Sequence, residues 1–137
     1  MKTTNYEISK ELAEAGFEQK FPPAFYHVNS NGTLYYRTAQ KEYSNLKGIF
    51  NVKSYDLETI LEALPKQHDF FSRGIGKYEL RIWYHEGKAF VGYQNWDGFD
   101  KVMTFEQEQN ESIADTAARL LILLHEKGLV NFNEEKQ

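Results

Sequence analysis

The sequence predicts a single α+β domain, an antiparallel sheet with helices packed mainly on one face, in the order α-ββ-α-βββ-α. Three observations carry this. A strongly specified helix runs from Ser112 to Gly128. Two shorter helical patterns lie before it. Five short runs rich in aromatic and β-branched residues are separated by turn signals. The 137 residues suit one domain with a real core and no covalent staple.

In chain order, Thr4-Asn5-Tyr6-Glu7 reads as a capping box with Thr4 as N-cap. Ile8, Leu12 and Ala15 follow at helical spacing, and Gly16 supplies a left-handed stop. Pro22-Pro23 prevents continuation. Phe25 to Val28 and Leu34 to Arg37 flank Asn29-Ser30-Asn31-Gly32, a hairpin signal. Gln40 to Leu46 lacks a period and reads as a loop, and Gly48 to Lys53 as a short strand or a bridge.

Ser54 or Asp56 caps a second helix with the stripe Leu57, Ile60, Leu61 and Leu64, which Pro65 ends. Lys66 to Gly76 reads as a loop. A meander follows through Tyr78 to His85, Ala89 to Gln94 and Lys101 to Phe105, with turns at Glu86-Gly87 and Asp97-Gly98.

The last helix opens on Ser112, with Asp115 completing the box. On a wheel of ~100° per residue, Leu120, Ile113, Leu124, Ala117, Leu121, Ala114 and Ala118 form one arc that Ile122 extends. This arc exceeds what one packing partner needs. Either another helix of the same chain fills the excess, or a second subunit does.

Composition narrows function by exclusion. There is no cysteine, so disulfides, thiolate metal sites and a cysteine nucleophile are excluded. The net charge of −4 opposes broad non-specific binding to nucleic acid. No signal-peptide pattern follows Met1, and the longest apolar run, Leu120 to Leu124, is too short to span a bilayer. These features lead to the expectation of a cytoplasmic protein with no membrane partner.

The binding candidates come from alternation. Tyr78, Leu80, Ile82 and Tyr84 form the expected core face of one strand. Glu79, Arg81, Trp83 and His85 form the other. Tyr35 and Arg37 share a face in the hairpin. Arginine beside aromatic rings suits pairing with phosphate and stacking on a base, and a solvated face is the plainer alternative. Arg73-Gly74-Ile75-Gly76-Lys77 offers Arg73 and Lys77 around two glycines as anion contacts. It opens a strand, however, and not the helix of a phosphate-binding P-loop.

No catalytic or metal-binding pattern stands out. His27, His68, His85 and His125 lack zinc-helix spacing. His125 falls in the apolar arc as a core histidine, and His68-Asp69 has no activated serine beside it. The carboxylates Glu106, Glu108, Glu111, Glu134 and Glu135 read as solvated charge. The expectation is no catalytic residue, no metal and no cofactor.

Three blocks, Ile8 to Phe17, Ser54 to Pro65 and Glu111 to Gly128, together resemble small proteins encoded by bacteriophages, prophages and mobile elements. The resemblance implies a compact accessory protein in an infected bacterial cell, of a kind that counters host defence. It supplies no catalytic residue. The expected function is a non-enzymatic binder that sequesters a nucleotide-derived immune signal as a sponge, as a homo-oligomer in one reading of the last helix. The alternative is an inhibitor that binds a host defence protein directly.

Overall fold

The computed structural model describes residues 3–17, 25–28, 33–37, 51–68, 78–95, 101–130 and 132; at 25, 27, 28, 35, 37, 51–53 and 68 this description covers the backbone alone. The expected loop at Gln40 to Leu46, the Asn31-Gly32 and Asp97-Gly98 turns, and Arg73 and Lys77 lie outside the described residues.

The elements in order are α1 (Tyr6–Ala15), β1 (Phe25–Val28), β2 (Leu34–Arg37), β3 (Asn51–Lys53), α2 (Leu57–Ala63), β4 (Gln67–His68), β5 (Tyr78–His85), β6 (Lys88–Gln94), β7 (Lys101–Glu106) and α3 (Ile113–Glu126). This is an α+β fold. The strands form two antiparallel sheets where the sequence suggests one: β2-β1-β3 and β4-β5-β6-β7. The short strand β3 pairs with β1 and so extends the first hairpin. Inside the expected loop after Pro65, Gln67–His68 forms the two-residue strand β4.

Helix α1 is capped one residue later than expected. Asn5 is the N-cap, and its side chain accepts from the Ile8 amide at 2.9 Å. Thr4 is fully buried and otherwise engaged. Its amide donates to the Tyr55 carbonyl at 2.9 Å, and its hydroxyl lies 2.6 Å from that of Ser9. The amide that Glu7 would satisfy in a capping box is therefore already taken. Gly16, at φ 98°, stops the helix with paired bonds from Gly16 to Ala13 and from Phe17 to Leu12. Asp56 caps α2, accepting from Thr59 at 2.9 Å, and Leu64 turns extended before Pro65.

Helix α3 has the full reciprocal box: Ser112 Oγ accepts from Asp115, and Asp115 Oδ2 accepts from the Ser112 amide at 3.0 Å. Its last turn closes through Gly128 (φ 74°), with Gly128 bonding His125 and Leu129 bonding Leu124. The helix is buried from two sides. Strands β6 and β7 cover one, and α1 and α2 cover the other. The chain itself thus fills the wide apolar arc, with Ala117, Ala118, Leu120, Leu121 and Leu124 at 0% exposure. Thr116, outside the arc on the wheel, is also buried, its hydroxyl bonded to Glu111 at 2.8 Å. His125 is only partly buried. It stacks on Phe132 at 4.6 Å and 1°, at the edge of the core rather than within it.

In β5 the expected core face holds only at its start. Tyr78 is 4% exposed, whereas Ile82 is 37% and Tyr84 65% exposed. The reason is the position of α3, which packs on β6 and β7 and leaves the far end of β5 uncovered.

The ladder between β6 and β7 contains a bulge. Phe90 and Val91 face Glu106 and Phe105, but Tyr93 and Gln94 face Val102 and Lys101, one residue out of step. Met103 absorbs the offset at φ 50°. Gly92 lies opposite, where an added Cβ would sit 2.7 Å from Thr104 Oγ1 and 2.8 Å from Thr104 Cα. The offset reverses the facing of the first part of β7.

Candidate binding face

The outer face of the four-stranded sheet, away from α3, carries the candidate residues Arg81 and Trp83. The two-residue Glu86-Gly87 turn, with φ 52° and 80°, sets the β5–β6 register. That register places Arg81 opposite Gly92, Trp83 opposite Phe90 and His85 opposite Lys88. Trp83 and Phe90 stack at 5.6 Å with 9° between their planes, and His85 meets the Phe90 edge at 6.5 Å. Because of the bulge, Lys101 pairs with Gln94 on this same face, and its Nζ stands 5.4 Å from the Trp83 ring centre.

Arg81 reaches Glu79 at 2.8 Å, with the two side chains 48% and 37% exposed. Such a pair holds its partners by only about 0–1 kcal/mol, so the guanidinium remains available to an anion. Lys88 lies 3.7 Å from Glu106, also exposed. The face thus combines a stacked two-ring platform with three cations around it.

Among the proposed residues, the structure brings Arg81 and Trp83 together. Tyr35 and Arg37 belong to β2, in the other sheet, opposite His27 and Phe25. Sequence reasoning missed Phe90, Lys88 and Lys101. The first two were readable, because a two-residue turn at Glu86-Gly87 fixes what lies opposite Trp83 and His85. Lys101 was not, because simple alternation puts it on the face of Phe105.

A cleft of about 840 Å³ opens elsewhere, at the start of α3, between Thr3, Asn5, Tyr26, Leu57, Gln107 and Asp115. Its ionisable groups are committed. Asp115 accepts from the Asn5 amide at 2.7 Å as well as from Ser112. Tyr26 donates to the Thr4 carbonyl at 2.7 Å; burial pushes its hydroxyl up to about 12, with Tyr36 and Asp115 adding to the effect. Glu111 grips Arg119 through two bonds of 2.8 and 2.7 Å. Burial alone would raise the Glu111 carboxyl. Hydrogen bonds from Arg119, the Glu108 amide and Thr116, with the Arg119 charge, outweigh this and hold it below the usual range. Neither this cleft nor the smaller one beside Gly87 and Lys88 is lined by Arg81 or Trp83.

Among the described residues no group of three His, Asp or Glu is placed to hold a metal ion, and no helix is long and apolar enough to cross a membrane. Comparison with family models, curated proteins and solved structures gives no match.

Proposed function

We propose that this chain is a non-enzymatic accessory protein of phage type, and that its outer sheet face binds a small ligand carrying both an aromatic ring and phosphate. A nucleotide-derived immune signal of the bacterial host is the ligand class that fits, and the cytoplasm of the infected cell is where the protein would meet it. The observation that carries this reading is the flush Trp83–Phe90 stack with Lys101 over one ring and Arg81 beside it. An aromatic platform contributes about 1–3 kcal/mol per stacked base, and a charge-assisted bond to phosphate about 1.5–3 kcal/mol. The ionisable groups at the large cleft are engaged in structural bonds, Asp115 by the Asn5 and Ser112 amides and Glu111 by Arg119, which favours holding a ligand over transforming it.

The test is a melting-shift and tryptophan-fluorescence screen against mono-, di- and cyclic nucleotides. Ligand bound to the folded state raises the melting temperature. Trp83→Ala should weaken binding about 5- to 150-fold, and heat should release the ligand chemically unchanged. Full binding by Trp83→Ala removes the site; a converted ligand makes the protein an enzyme.

A second reading, direct inhibition of a host defence protein, is favoured by the exposed Arg81, His85 and Lys88 side chains on this face, which suit a flat partner. It predicts no melting shift with any nucleotide and co-purification with a host protein that is lost in Trp83→Ala.

A further inference from the structure

The Glu86-Gly87 turn and the β6–β7 offset arrange the outer face in cross-strand rows. Trp83, Phe90 and Glu106 form the middle row. On one side of it lie Arg81 and Gly92, with Glu79, Gln94 and Lys101 beyond them. On the other side lie His85 and Lys88. Successive rows are about 7 Å apart, the rise of two strand residues. A nucleobase and its 5′-phosphate are separated by a similar span.

The two sides of the ring platform differ in charge. The Arg81 side holds Arg81 and Lys101 against one carboxylate, Glu79. Lys101 has no acid partner among the described residues, and its contact is the Trp83 ring. Gly92 puts no side chain between Arg81 and the exposed Thr104, so a cation and a hydroxyl share an open row. The His85 side holds Lys88 against two carboxylates. Glu106 lies 3.7 Å from Lys88, and Glu86 lies 3.7 Å from His85. With histidine counted as neutral, cations are in excess on the first side and acids on the second.

We propose, resting on the nucleotide reading above, that this division gives the ligand a direction, and that Glu106 makes the face selective for a base with an exocyclic amino group. The phosphates take the side of Arg81, Lys101 and Thr104. The base lies on the Trp83–Phe90 platform with its far edge towards Glu106, the cross-strand neighbour of Phe90. A carboxylate accepts from an amino group and is repelled by a carbonyl oxygen. The ligand class is therefore an adenine or cytosine nucleotide in preference to one of hypoxanthine, uracil or thymine.

Adenosine 5′-diphosphate and inosine 5′-diphosphate test this, because they match in charge and ring size and exchange one amino group for a carbonyl. By tryptophan fluorescence the adenosine compound should bind about 5-fold tighter or better. Glu106→Gln should bring the two affinities together, since an amide side chain donates as readily as it accepts. This variant spares the Glu106 carbonyl that accepts from Arg119 at 2.7 Å, and circular dichroism checks that the fold is kept. Inorganic pyrophosphate, which has no base, reads the direction alone. Its amide NMR shifts should centre on Gly92, Thr104 and Lys101, and weaken in Lys101→Gln. Equal affinity for the two diphosphates, or a preference that survives Glu106→Gln, overturns the proposal and leaves the nucleotide reading standing. So do pyrophosphate shifts as large at Gly87 and Lys88, or none at all. Binding of neither diphosphate overturns the nucleotide reading, and the proposal with it.

Discussion

Replacing Gly92 by alanine tests the bulge that shapes the outer face of the four-stranded sheet. The new methyl would lie 2.7 Å from Thr104 Oγ1, 2.8 Å from Thr104 Cα and 3.0 Å from the Met103 carbonyl, where ordinary contacts are 3.4–4 Å. Two of these three atoms are main chain and cannot rotate away. Strand β7 must therefore shift outward by roughly half an ångström or more, against its hydrogen bonds to β6. Overpacking of this kind costs about 1–3 kcal/mol. At this chain length that lowers the melting midpoint by roughly 4–12 °C. Urea unfolding followed by circular dichroism reads the change directly. Thr104→Ala in the same chain removes only the Oγ1 contact and should restore only a minor part of the loss. Stability of Gly92→Ala within ~0.5 kcal/mol of the parent, or full rescue by Thr104→Ala, would refute the steric reasoning.

Two further outcomes follow from the polar groups. Asp115→Ala strips the acceptor shared by the Asn5 and Ser112 amides, and should lower stability by about 2–4 kcal/mol in urea titration; an unchanged midpoint would show that water replaces both bonds. The Tyr26 hydroxyl is held up to about 12 from its ordinary 10.0, and burial raises Tyr93 in the same direction, so the unfolded chain loses these protons first. Stability should be level below pH 10.0, fall as pH climbs towards about 12, and fall less steeply in Tyr26→Phe. Glu111 acts at the other end: its lowered value contributes stability above the usual glutamate range that is lost as pH falls.

Local rules read well from this sequence wherever a few adjacent residues decide the outcome. The Ser112–Asp115 box, the stops at Gly16 and Gly128 and the hairpin turn at Glu86-Gly87 are all of that kind. Reading failed where distant residues compete. Thr4 and Asn5 are equally good caps on paper. Thr4 is drawn away by Tyr55, which lies 51 positions on. The separation into two sheets depends on which strand edges meet, and hydrophobic patterns do not encode that. At the proposed binding face, Arg81 and Trp83 are visible by alternation. Lys101 was hidden by a one-residue offset that exists only once β6 and β7 pair. His125 has a core position on a helical wheel, but where the helix ends relative to the sheet decides its burial.

The clasp at the chain's beginning has a consequence for biosynthesis. Asn5 bonds Asp115, Ser112 bonds the Thr3 carbonyl at 3.3 Å, and α1 rests against α3. Helix α1 thus leaves the ribosome well before α3, one of the two elements on which it rests. Until α3 emerges, α1 has only β3 and the Tyr55 segment to rest on, and the core around Leu12 stays incomplete. Ribosomes stalled shortly before Ser112 should display a chain sensitive to protease, with protection arriving once α3 clears the exit tunnel.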